Sequence, residues 1–111
     1  MSTKVKNTLR QVMNLAWQLV KRNGYTMSEA LRVAWLNIKL KLAMYKRICK
    51  FYFRKVDGSL REAYGTLKQN LIPAIADTDG RHYIDTVQVY YDTEVQGWRC
   101  FKKANLITIV K

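Results

Sequence analysis

Apolar and polar positions in the first half of the chain recur at helical spacing. Between Thr8 and Arg22 the apolar residues Leu9, Val12, Met13, Ala16, Leu19 and Val20 fall three and four apart, which predicts an amphipathic helix. Gly24 follows where a left-handed C-terminal cap is wanted, and Lys21 and Arg22 suit the negative end of the helix dipole. Thr26 and Glu29 have the spacing of a capping box, so a second helix is expected to start there. It runs to about Tyr45, with Leu31, Ala34, Trp35, Ile38, Leu42 and Tyr45 predicted on one face. The short Asn23–Thr26 link makes the pair a helical hairpin.

The second half changes period. In Ile48–Val56, Cys49, Phe51 and Phe53 alternate with Lys50, Tyr52 and Arg54, which predicts a strand with one buried face. Asp57-Gly58 is a hairpin turn signal, and Leu60–Leu67 is the returning strand. Asn70–Asp79 holds the single proline, Pro73, and reads as loop. His82–Asp92 is strand-like with Val87, Val89 and Tyr91 on one side. Trp98–Phe101 and Leu106–Val110 follow, separated by a tight turn at Lys102–Asn105. Five short strands, with one turn before the last, predict a small, partly open β-barrel.

Charge adds a second asymmetry. Residues 1–50 carry eleven Lys/Arg against one acid, Glu29, whereas residues 51–111 carry nine against seven. Like charges so concentrated repel one another and imply an anionic partner: nucleic acid, an acidic protein face or an anionic lipid surface. The length fits one compact domain, or a very small domain with an appendage. Two cysteines, Cys49 and Cys100, are neither spaced as a CxxC pair nor numerous enough for a disulfide scaffold, so a reducing, cytoplasmic compartment is expected. No apolar run reaches the roughly twenty residues that span a bilayer. Gln11, Asn14 and Gln18 interrupt any secretory signal. The acid-free first 28 residues also read like a transit peptide, a reading that the second helix directly after them disfavours.

The second half resembles a small SH3-like β-barrel family of unassigned function from gut Bacteroidetes and their phages and mobile elements. The likeness is carried by Phe51-Tyr52-Phe53-Arg54-Lys55-Val56-Asp57-Gly58-Ser59-Leu60-Arg61 and Ala63-Tyr64-Gly65-Thr66-Leu67. Ile72-Pro73, Val89-Tyr90-Tyr91-Asp92, Gly97-Trp98-Arg99-Cys100-Phe101-Lys102 and Asn105-Leu106-Ile107 continue it, with Cys100 where serine is expected. The first half is similar to the helical leader ahead of many short phage proteins, through Ala16-Trp17-Gln18-Leu19-Val20-Lys21, Ser28-Glu29-Ala30-Leu31 and Ala34-Trp35. The resemblance implies an SH3-like fold and a phage or mobile-element setting in a bacterial host, and it brings no catalytic residues.

Two surfaces are candidates for the anionic partner. Arg32, Lys39 and Lys46 lie seven apart and form a basic stripe expected to flank the apolar face of the second helix, with Arg47 at its edge. Such a row can follow a phosphate backbone. On the barrel, Lys50, Tyr52 and Arg54 alternate outward, and Trp98, Arg99, Lys102 and Lys103 come from the closing strand. Rings beside cations suit single-stranded nucleic acid, although Trp98 is the more natural packing residue. Long cationic stems also lie along core edges with solvated heads, which is the plain reading of the stripe. Trp17 and Trp35 are expected to pack the helices against each other or the barrel, and an apolar face left uncovered would mark an interface.

Catalysis has little support. His82 has no metal-binding companions, the acids Asp77, Asp79, Asp85 and Asp92 sit in turns, and there is no nucleophile motif, phosphate loop or cofactor fingerprint. The expectation is therefore an α+β chain, with a basic two-helix segment at 1–46 and a five-stranded SH3-like barrel at 47–111. It is expected to bind DNA or RNA without cofactor, metal or small-molecule substrate. The alternative is a phage-encoded inhibitor, such as an anti-CRISPR or anti-restriction protein, docking on an acidic host-protein surface. Membrane-surface association ranks third.

Overall fold

Helix α1 (Thr3–Asn23) stops where Gly24 takes φ 69°, a left-handed conformation that costs glycine nothing sterically. The structure, a computed structural model, describes residues 3–72 and 86–110. After Gly24 the Thr26 hydroxyl accepts the Glu29 N–H at 3.2 Å and starts α2 (Met27–Met44). The two helices pack through Val12, Leu15, Ala16 and Leu19 against Ala30, Val33 and Ala34. The alanines let the axes approach closely.

The buried face of α2 differs from the predicted one. Ala30, Val33, Ala34, Asn37, Leu40 and Met44 are buried, whereas Trp35, Leu42 and Tyr45 are exposed. The pattern misled because the middle of the true face is polar. Asn37 is buried but bonded: its Nδ2 donates to Val33 O at 2.9 Å and to Lys103 O at 2.8 Å.

Five antiparallel strands follow: β1 (Cys49–Arg54), β2 (Leu60–Thr66), β3 (Val87–Asp92), β4 (Gly97–Lys102) and β5 (Leu106–Val110), in the order β4-β3-β2-β1-β5. The expected alternation in β1 holds, with Cys49, Phe51 and Phe53 inward. Phe51 sits amid aromatic neighbours, 5.2 Å from Tyr90 edge-to-face and 5.4 Å from Phe101 between ring centroids. In β3 the residue in the barrel core is Tyr90, and of the side expected to carry Val87, Val89 and Tyr91 the two valines are half-buried and Tyr91 is buried. Tyr91 is buried beneath Trp98, edge-to-face at 5.7 Å. Of the loop expected at Asn70–Asp79 and the strand start at His82, residues 73–85, with Pro73, lie outside the described residues.

The hairpin and the barrel are joined through α2. Leu40 and Met44 belong to the barrel core together with Phe51, Phe53, Tyr90 and Phe101. Asn37 and Tyr25, whose hydroxyl donates to Ala104 O at 2.7 Å, hold the 3-10 turn Lys103–Asn105 between β4 and β5. Thr66 sits under the C-terminus of α2, its hydroxyl shared between Met44 O and Arg47 O, while the Leu67 N–H donates to Met44 O at 2.8 Å. Among the described residues no helix is long and apolar enough to cross a membrane.

Candidate functional site

The β1–β2 turn determines which side chains meet at the open side of the barrel. Gly58 has φ 92°, and the Asp57 carboxylate accepts both the Ser59 N–H at 2.9 Å and the Ser59 hydroxyl at 2.6 Å, which holds it below the usual carboxylate range. The strands are symmetric about Asp57, so Phe53 pairs with Arg61 and Arg54 with Leu60. On the other side β3 and β4 pair Gln88 with Phe101 and Tyr90 with Arg99. Between the β1–β2 hairpin and β4 lies a cleft of about 690 Å³.

Five cations line this cleft, Arg54, Lys55, Arg61, Arg99 and Lys102, with Asp57 as the acid at its edge and Phe53, Tyr90 and Phe101 as its floor. Arg61 is partly neutralised by buried Asp92, 3.4 Å away, and its Nε has no hydrogen-bond partner. The Tyr90 side chain is fully buried, and its hydroxyl also lacks a partner. Burial, more than the nearby Asp92 charge, pushes that hydroxyl up to about 12. The site thus offers cations around an aromatic floor.

Arg54 carries the positive surface onward. It lines the cleft and also a second pocket, of about 310 Å³, with Arg32, Glu29 and Tyr25. Four of the residues expected from the sequence are brought together in this way: Arg99 and Lys102 in the cleft, Arg54 at the junction and Arg32 on α2.

The others stand apart. Lys39 is exposed on the side of α2 turned away from the buried residues, so the stripe opposes the buried face instead of flanking it. The helix ends at Met44, which puts Lys46 and Arg47 in the following turn and shortens the helical row to Arg32 and Lys39. Lys50 and Tyr52 belong to a polar cluster on the outer face of the sheet. The Tyr52 hydroxyl donates to Glu62 Oε2 at 2.8 Å, the Tyr64 hydroxyl donates to Oε1 at 3.0 Å, and Lys50 Nζ lies 3.6 Å from Oε1. Those hydrogen bonds, the Tyr52 one foremost, lower the Glu62 carboxyl, and the Glu62 charge raises the Lys50 ammonium. Much of the charge of Lys50 is spent on Glu62. Lys103 faces the other way, toward Gln11, Asn14 and Gln18 of α1. Trp98 packs on Tyr91, as its packing reading expected.

Sequence reasoning missed Lys55, Arg61 and Tyr90. The signal for Arg61 was available, because a turn centred on Asp57 sets it opposite inward-facing Phe53. Tyr90 was hidden by the more apolar Val87 and Val89, which precede it at alternating positions. Both cysteines are unpaired, Cys49 buried and Cys100 exposed at the cleft. Among the described residues no group of three His, Cys, Asp or Glu is placed to hold a metal ion.

Comparison with protein-family models matches residues 37–107 to WYL_2, described as an Sm-like SH3 β-barrel fold. The match begins inside α2, at Asn37, takes in β1 to β4 whole and ends at Ile107, the second residue of β5. No curated protein and no solved structure gives a significant match.

Proposed function

The chain belongs to the WYL_2 family of Sm-like SH3 β-barrels, and from that premise we propose that it is a non-enzymatic module that binds nucleic acid by its phosphate backbone. The observation that carries the proposal is the convergence of five cations on one cleft of about 690 Å³ with an aromatic floor. A concave cleft suits a single strand better than a duplex, whose grooves are read by projecting helices or ribbons. Phosphates lie against Arg54, Arg99 and Lys102, and the strand leaves the cleft past Arg54 toward Arg32.

The test is binding of labelled single- and double-stranded DNA and RNA across a salt series. Single strands are expected to bind more tightly, with affinity falling as salt rises by a slope of about 0.7 per phosphate contacted. Arg54→Glu with Arg99→Glu and Lys102→Glu is expected to abolish binding and flatten that slope. Unchanged affinity in this triple variant removes the proposal.

A further inference from the structure

We propose that the face of the helical hairpin turned away from the barrel docks an acidic amphipathic helix of a partner protein. Helix α2 has three sides. Leu36, Leu40, Ala43 and Met44 pack on the barrel core, and Ala30, Ala34 and Ile38 pack in the helical cluster. Trp35 and Leu42 do neither and are 37% and 51% exposed. On α1, Leu9, Met13 and Trp17 are 46%, 43% and 49% exposed. Four apart, they advance by about 40° per step and form a ridge about 12 Å long.

Both sets are displaced in the same rotational sense from the line where the helices touch. In an antiparallel pair that puts them on one face, opposite the barrel. The two helices and their apolar side chains therefore bound a shallow groove.

Charge identifies the occupant. Arg10 and Lys21 lie beyond the α1 ridge, Lys39 lies beyond Trp35, all are exposed, and Glu29 is the single acid in residues 1–50. A second copy would set cations against cations. Nucleic acid would use the cations and leave two tryptophans and three aliphatic side chains in water. A bilayer takes apolar side chains that project freely, whereas these are about half covered by their neighbours and lie along a groove. A third helix with an apolar seam and carboxylates on both margins satisfies shape and charge together.

The test is selection from a displayed library of amphipathic peptides of about twenty residues, with a fixed apolar seam and random flanking positions. Selection by the full chain is expected to enrich Asp and Glu at those flanks. The recovered peptide, made synthetically, is expected to blue-shift the tryptophan emission. Met13→Glu with Leu42→Glu should weaken it by about tenfold or more, and Arg10→Glu with Lys21→Glu should weaken it while leaving helix content unchanged. Oligonucleotide binding is expected to survive both pairs, which keeps this test separate from that of the cleft. Enrichment of Lys and Arg, or of nothing, overturns the proposal. So does sedimentation with phosphatidylglycerol vesicles without peptide binding, or a concentration-dependent dimer that Met13→Glu with Leu42→Glu dissolves.

Discussion

Tyr90 combines full burial with a hydroxyl that nothing satisfies. An unpaired buried donor costs about 1–3 kcal/mol, so Tyr90→Phe is expected to raise stability by about 1 kcal/mol, read by urea unfolding. The same residue sets an alkaline limit. The unfolded phenol ionises near 10 and the folded one near 12, so the unfolded chain releases its proton first. Stability present below pH 10 is then lost as pH rises toward 12, by about 2–3 kcal/mol, and Tyr90→Phe should remove that decline. Beneath it, a Cβ on Gly65 would lie 2.5 Å from Tyr90 Cδ2 and 3.1 Å from Phe51 Cε1. Gly65→Ala is expected to cost about 1–3 kcal/mol, checked by the same unfolding curves. On the outer face, Glu62→Gln should bring the Tyr52 phenol, raised chiefly by its hydrogen bond to Glu62, back toward its ordinary range in an ultraviolet titration.

At the level of elements, hydrophobic periodicity located both helices and the five described strands, and their ends follow local chemistry: Gly24, Thr26 and Asp57-Gly58 each behave as their residue types dictate. Which way an element faces was less legible. The α2 face was misread because one buried amide, Asn37, finds its partner 66 residues away, and no local pattern announces that. The cleft was half legible: Arg54, Arg99 and Lys102 were singled out, but their meeting depends on how two hairpins close on each other. Asn37→Ala tests the long-range link. It strands Lys103 O and opens a gap, and is expected to cost about 1–3 kcal/mol and loosen the turn between β4 and β5, visible as faster amide exchange at Leu106.

Across the whole molecule the charge imbalance of the first half does not locate the cleft where cations gather. Among the described residues five cations gather in the nearly balanced second half: Glu62 is held on the outer sheet, and Asp92, which meets Arg61, also accepts the Glu94 and Val95 N–H groups of the turn after β3. Since α2 contributes to both hydrophobic clusters, helix and barrel are expected to unfold in one transition, with far- and near-ultraviolet dichroism coinciding. Leu40→Ala should lower that midpoint for both signals, at a cost of about 2–5 kcal/mol. The helices are therefore unequal. Helix α2 is a collar clamped into the barrel wall, whereas α1 leans on that collar and meets the barrel mainly at the rim around Ala104. A chain built this way can exchange its leading arm, and with it its choice of companions, without re-engineering the ring that the arm serves.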